Sequence, residues 1–177
     1  MQAFELTDLK FIQGEPVLLS DLKGKGIALI EFFATWCPPC LRSIPHLNEL
    51  QQEFPKMTVI GVSNEEASTL TSFIEEMGKK MTYRVASDEF RKVSRHYDIE
   101  GIPHAFLVDR AGKIVWEGHP MEDELREAIV KHITAQPAGC RVSGPRSRSP
   151  RRSRSPRRSR SPRRSRHSSC RCMMNDE

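Results

Sequence analysis

Cys37 and Cys40 stand three positions apart in the stretch Trp36-Cys37-Pro38-Pro39-Cys40, where an apolar run gives way to a helical pattern. Thiols at that spacing at a helix start can face each other, and the first lies where a thiolate is favoured. A helix N-terminus presents unpaired N–H groups and about half a unit of positive charge. Such surroundings lower a cysteine pKa from ~8.5 to ~3.5–7.5, and the thiolate is the form that attacks disulfides. The second thiol then closes an intramolecular disulfide and releases the mixed-disulfide intermediate. Pro38 and Pro39 suit a first helical turn, because the donors they lack have no partner there. Half of a zinc site and a structural disulfide are the competing readings. Zinc wants four ligands, and no second Cys-x-x-Cys or His-x-x-x-His occurs before the tail. The residues favour redox chemistry.

The flanking sequence supplies elements to position that pair. Ile27–Phe33 is almost continuously apolar, the pattern of a central strand covered on both faces. Cys40–Phe54 follows as a helix with Leu41, Ile44, Leu47, Leu50 and Phe54 inward, and Pro45 inside it removes one backbone donor. Met57–Val62 reads as a second buried strand and Glu65–Gly78 as an amphipathic helix ended by its glycine. Tyr83–Ala86 reads as a short strand and Glu89–Tyr97 as a short helix. His104–Asp109 and Ile114–Gly118 flank the turn Arg110–Lys113 as an antiparallel hairpin. Glu122–Thr134 closes the domain as a helix. Phe4–Phe11 and Val17–Leu22, split by Gln13-Gly14-Glu15-Pro16, predict an N-terminal β-hairpin. Strands alternating with helices imply an α/β fold, a mixed central sheet flanked by helices.

Charge divides the chain. Residues 1–136 carry 15 Lys and Arg against 21 Asp and Glu, a net of −6, whereas residues 137–177 carry 13 against 2, a net of +11. Three copies of Ser-Pro-Arg-Arg-Ser-Arg span Ser149–Arg166. A polar repeat with no apolar position buries nothing to offset chain entropy, so a disordered tail over 136–177 is expected after a folded domain over 1–135. Clustered arginines bind phosphate backbones with steep salt dependence. Phosphorylating Ser149, Ser155 and Ser161 would roughly halve the tail's charge. Cys140, Cys170, Cys172 and His167 in the tail read as free side chains rather than metal ligands. Met1–Lys10 has neither the basic region nor the apolar run of an export leader. No apolar stretch reaches the 18 residues a membrane span needs.

Cys-Pro-Pro-Cys after the central strand and Gly101-Ile102-Pro103 before the third resemble the thioredoxin superfamily. The stretches Leu19–Cys40 and Gly101–Gly118 narrow that resemblance to the TlpA/ResA-like thiol-disulfide oxidoreductases. The dipeptide between the cysteines is also similar to that of tryparedoxins and nucleoredoxins. The resemblance implies a thioredoxin-like fold with Cys37 attacking, Cys40 resolving and Trp36 as the aromatic platform beside them. It implies that Pro103 is a cis-proline facing the disulfide and that the Ile102 backbone pairs with an extended substrate. Glu31, six residues before Cys37, matches a buried acid that takes the resolving thiol's proton. Read from its own strand, Glu31 is either such an acid with a raised pKa or a glutamate at a wet edge. Two departures stand out: Ser43 occupies a place where ResA-like proteins often carry glutamate, and Met57–Val62 lacks the lysine that thioredoxins pair with their acid. Proton handling is therefore expected to rest on Glu31 alone or on water.

The expected activity is reduction of protein disulfides through a Cys37–Cys40 cycle, with an external dithiol reductant and no cofactor or metal. The alternatives are a peroxiredoxin-like peroxidase and an RNA-associated redox-sensitive adaptor. The usual peroxidatic pattern places Thr or Ser three residues before the cysteine, where this chain has Ala34. His104, beside the site, reads as a satisfied packing residue. The tail resembles RS domains, which implies RNA or RS-domain protein partners and SR-type or proline-directed kinases. A monomer in the cytoplasm or nucleus, without membrane attachment, is expected.

Overall fold

Ile27–Phe32 is apolar at five of six positions and wholly buried, and it takes the centre of the sheet as strand β2. A computed structural model gives the arrangement, and it describes residues 1–134; the expected boundary at 135 and the disordered tail expected over 136–177 lie outside the described residues. In chain order the elements are β1 (Lys10–Gln13), α1 (Leu19–Leu22), β2 (Ile27–Phe32), α2 (Pro38–Glu53), β3 (Met57–Ser63), α3 (Ala67–Met77), β4 (Arg84–Ser87), β5 (His104–Val108), β6 (Ile114–Gly118) and α4 (Asp123–Thr134). The six strands form one sheet in the order β1-β4-β3-β2-β5-β6. β2, β3 and β4 run parallel, while β1, β5 and β6 pair antiparallel with their neighbours. The mixed sheet expected from the strand and helix pattern is thus the one formed.

Alternation along β2 sorts the core into two layers. Ile27, Leu29 and the following Phe33 pack with Ile44, Leu47 and Leu50 of α2 and with Leu125 and Ile129 of α4. Ala28, Ile30 and Phe32 face the other way, onto Leu6, Leu19, Val93 and Tyr97. Fully burying one such aliphatic or aromatic side chain is worth about 1.5–3 kcal/mol, so the sheet's position is fixed from both sides. Both cysteines belong to the first layer.

Three expectations are corrected. The N-terminal β-hairpin does not form. Glu5 caps the second segment instead: its carboxylate accepts from the Leu19 N–H at 2.5 Å and the Ser20 N–H at 2.9 Å. That turns Leu19–Leu22 into a helical turn with Leu19 buried, and β1 pairs with β4, Lys10 opposite Ser87. Glu89–Tyr97 is a run of turns rather than a helix. Arg91 takes a left-handed φ of 54°, and the Asp88 carboxylate gathers the N–H groups of Val93 (3.2 Å) and Ser94 (2.8 Å). Leu41 is exposed, because α2 turns Cys40, Ser43 and Ile44 inward at that level.

The later elements match their patterns. β5 and β6 form the expected hairpin, with Gly112 at φ 80° in its turn. α3 ends at Gly78, whose φ of 50° favours glycine.

Candidate functional site

Cys37 occupies the N-cap of α2, with Pro38 and Pro39 in the first turn, and its sulfur accepts from the Cys40 N–H at 3.4 Å. The two Cα atoms lie 5.3 Å apart and a disulfide joins the side chains. That separation is within the range a disulfide needs, so the pair closes without backbone movement. Cys37 retains 3% exposure and Cys40 none, so a partner in solution meets Cys37 first.

The peptide bond between Ile102 and Pro103 is cis, as the resemblance implied. The Ile102 carbonyl oxygen lies 3.9 Å from the Cys37 sulfur, which puts the segment before β5 against that sulfur. Trp36 is 71% exposed, whereas Trp116 packs against the core. Beside Trp36 a cavity of about 450 Å³ opens, with Phe33, Val62, Ile99 and Ile102 as apolar walls and Arg91 and Arg95 at its margin. His104 packs its ring 4.8 Å from that of Phe106, in keeping with the packing role expected of it.

Glu31 is fully buried on the face of β2 that carries Leu29 and Phe33, the layer that holds both sulfurs. Its register partners are Gly61 on β3 and Ala105 on β5, which bring no polar side chain. Two hydroxyls fill that role. Ser43 Oγ donates to Glu31 Oε1 at 2.7 Å, and Tyr83 Oη donates to Oε2 at 3.4 Å. Burial raises the Glu31 pKa from its ordinary 4.5 to about 8, against the pull of these two hydrogen bonds. Burial, then the charge and hydrogen bond of Glu31, push the Tyr83 phenol well above its usual value. Glu31 is therefore not at a wet edge, and it does not stand alone. Ser43, noted in the sequence only as a departure, and Tyr83, not singled out at all, are its partners.

The loop before Trp36 is held by another residue the sequence did not reveal. Glu65 accepts from both the N–H and the hydroxyl of Thr35, at 2.8 and 2.7 Å. Thr35 is thus committed, and Ala34, three residues before Cys37, is buried and has no hydroxyl to offer. Among the described residues no group of three or more His, Cys, Asp or Glu is placed to hold a metal ion.

Comparison with known proteins agrees with this geometry. A model of the AhpC/TSA family matches residues 1–117. The thiol-disulfide oxidoreductase ResA of Bacillus anthracis is 34% identical over 136 residues, spanning 74% of this chain and 75% of that protein. ResA of Geobacillus kaustophilus is 35% identical over 114 residues, spanning 63% and 62%. The crystal structure of StoA from Bacillus subtilis matches with a TM-score of 0.57 at 26% identity, covering 68% of this chain and 92% of StoA. A putative thiol:disulfide interchange protein DsbE from Chlorobium tepidum gives a TM-score of 0.63 at 24% identity over 75% and 98% of the two chains, a likeness of fold. Read with the linked cysteines at the head of α2, these matches place the chain in the AhpC/TSA family, as a thioredoxin-fold thiol-disulfide oxidoreductase related to ResA.

Proposed function

We propose that the protein reduces disulfides presented on extended polypeptide, with Cys37 as nucleophile and Cys40 as resolving thiol. The observation that carries this reading is the placement of Cys37 at a helix N-cap, 3.9 Å from the Ile102 carbonyl at the cis bond. In the reduced enzyme the Cys37 thiolate attacks one sulfur of the substrate disulfide, forming a mixed disulfide and releasing the other substrate sulfur as a thiolate, which takes a proton from water. Glu31 then accepts the Cys40 proton as the Cys40 sulfur attacks Cys37. The Cys37–substrate bond breaks, the second substrate sulfur leaves and is protonated, and the Cys37–Cys40 disulfide remains. The substrate gains two electrons and two protons, and an external dithiol returns the enzyme to its reduced form. Main-chain pairing at Ile102 suits many substrates, because the backbone is common to all of them. Trp36, Ile102 and Pro103 form the surface on which the substrate lies.

Trapping tests this reading. Cys40→Ser accumulates mixed disulfides with protein substrates, and Cys37→Ser loses insulin reduction. Full turnover by Cys37→Ser would remove the proposed role.

The same proposal extends to the rest of the chain on sequence grounds. The Arg-Ser repeats between Ser149 and Arg166 support contact with RNA or RS-domain proteins, modification by SR-type or proline-directed kinases, and a cytoplasmic or nuclear site of action for a monomeric enzyme. Deleting residues 137–177 then leaves disulfide reduction in place and changes RNA retention or localisation. Loss of reduction on that deletion would assign the tail to catalysis instead.

A further inference from the structure

Glu31 faces a constructed environment. Its carboxylate receives one hydroxyl from α2 and one from Tyr83, which immediately precedes β4. Each donor is itself fixed. Ser43 Oγ lies 2.7 Å from Glu31 Oε1 and 2.8 Å from the Cys40 carbonyl oxygen, so a single hydroxyl stands between the buried acid and the resolving cysteine. The backbone around Tyr83 is held by side chains from two other elements. Gln13 of β1 donates its amide to the Met81 and Tyr83 carbonyls, at 2.9 and 2.7 Å. Asn48 of α2 accepts from the Thr82 N–H at 3.0 Å.

Room for the phenol comes from Gly61. A Cβ at that position would lie 3.2 Å from Tyr83 Cε2 and 3.1 Å from Phe33 Cε1, so the tyrosine ring crosses bare backbone on its way to Glu31. Glycine in a strand interior weakens the strand and often marks a close approach of another group. Here the approaching group is the Tyr83 ring.

We propose that Tyr83 is a positioning residue for the resolving step, its hydroxyl acting with that of Ser43 to hold the Glu31 carboxylate where it receives the Cys40 proton. This rests on the role given to Glu31 above. A Ser43 hydroxyl has one proton and two acceptors in reach. With Glu31 ionised, that proton goes to the carboxylate; with Glu31 protonated, the acid donates and the Ser43 proton turns to the Cys40 carbonyl. Tyr83 cannot make the equivalent second choice, because among the described residues only Glu31 accepts from its hydroxyl. Tyr83 therefore biases the pair toward the ionised acid that a general base requires. Facing Glu31 are the hydroxyl of Ser43 from α2 and the phenol of Tyr83, while β3 and β5 bring only Gly61 and Ala105 alongside. Desolvation and these two hydroxyls set its proton affinity, with no cation in the balance. Tyr83 reaches Glu31 from the segment before β4, not from β3, where Met57–Val62 has no lysine, and it does so as a neutral donor.

The experiment follows the reaction of full-length reduced enzyme with a symmetrical aromatic disulfide whose thiolate product absorbs in the visible. The first equivalent released reports Cys37 attack and the second reports Cys40 resolution. In the wild type the second phase rises through an inflection near pH 8, the value about which Glu31 titrates. Tyr83→Phe moves that inflection up by about one pH unit and lowers the ratio of second to first rate at pH 7 about threefold, since a rarer base is also a stronger one. Ser43→Ala moves it the same way. Gly61→Ala, which crowds the ring without touching any hydroxyl, reproduces the Tyr83→Phe profile. Infrared difference spectra, with the protonated carboxyl band assigned by its loss in Glu31→Gln, show that band persisting to higher pH in Tyr83→Phe. An unmoved inflection and band in Tyr83→Phe, with the inflection abolished in Glu31→Gln, overturns the role of Tyr83 alone. An inflection that survives Glu31→Gln overturns the role of Glu31 itself.

Discussion

Glu65 grips Thr35 at two atoms, its Oε2 accepting from the Thr35 N–H at 2.8 Å and its Oε1 from the Thr35 hydroxyl at 2.7 Å. Thirty residues separate the two in sequence, so this contact ties the loop before Trp36 to the segment after β3. Glu65 is itself oriented by Ser63, whose hydroxyl donates to Oε2 at 2.9 Å, while Ser87 at the end of β4 donates to the Glu65 carbonyl at 2.7 Å. Ends of two strands thus set the position from which Trp36 and Cys37 project.

Removing that grip leaves the half-buried Thr35 N–H without its acceptor. Hydrogen bonds to a charged group are worth about 1.5–3 kcal/mol each, so Glu65→Ala is expected to cost about 2–4 kcal/mol of domain stability. Urea unfolding of the oxidised protein measures it. The same variant lowers the rate of Cys37 attack, because the loop no longer presents the N-cap in one orientation. Glu65→Gln restores part of both, since its amide oxygen still accepts one of the two bonds. A Glu65→Ala protein as stable as the wild type would show that the grip contributes nothing.

Much of the positioning frame was legible because it is local. An apolar run of strand length, a Cys-x-x-Cys with prolines in the first turn, and Gly-Ile-Pro ahead of the next strand each carry their meaning within a few residues. Glu31 in an apolar strand was legible as an anomaly, since burying an ionised carboxylate is expensive. Its partners were not. Ser43 is 12 residues away and Tyr83 is 52, and the bonds they make follow from the stacking of α2, β2 and β4 rather than from any spacing. The N-terminal hairpin failed for a related reason: Glu5 reaches 14 residues ahead to cap Leu19, and that distant carboxylate outcompetes a weak period-two pattern. Glu89–Tyr97 has helical composition, but the Asp88 carboxylate draws Val93 and Ser94 into turns. Side chains that bond the backbone in non-helical forms compete with the helix.

Trp36 separates binding from stability. At 71% exposure it packs too little to matter for folding, so Trp36→Ala is expected to change unfolding free energy by less than about 0.5 kcal/mol. Trp36 lines the cavity walled by Phe33 and Ile102, where the proposed extended substrate would lie. Large aromatic groups carry a disproportionate share of contact energy, commonly more than about 1 kcal/mol on truncation. The ratio of kcat/KM for a protein disulfide to that for a small disulfide should fall about five- to tenfold. An unchanged ratio would place the substrate elsewhere on the surface.

Stability against pH gives an independent measure of Glu31. Its carboxyl is raised from 4.5 in ordinary surroundings to about 8 by burial, with Ser43 and Tyr83 opposing. Between those two values the folded protein holds a proton that the unfolded chain has released. Stability therefore falls as pH rises, by up to about 1.4 kcal/mol per unit from this group. The contribution is fully present below 4.5 and is lost by the time pH passes 8, a total of about 4–5 kcal/mol. Glu5 has the opposite sign: although burial opposes it, the N–H groups of Leu6, Ser20 and Leu19 lower its pKa, so its contribution is lost on acidification. The comparison must therefore be between wild type and Glu31→Gln, which keeps the side-chain shape, removes the titrating group and leaves one amide oxygen to accept from one of the two hydroxyls. Urea midpoints of the oxidised proteins at pH 5, 6, 7 and 8 should diverge steadily, the wild type losing ground to the variant. Parallel curves would mean that Glu31 titrates in the folded protein as it does in the unfolded chain, and that its burial leaves its proton affinity unchanged.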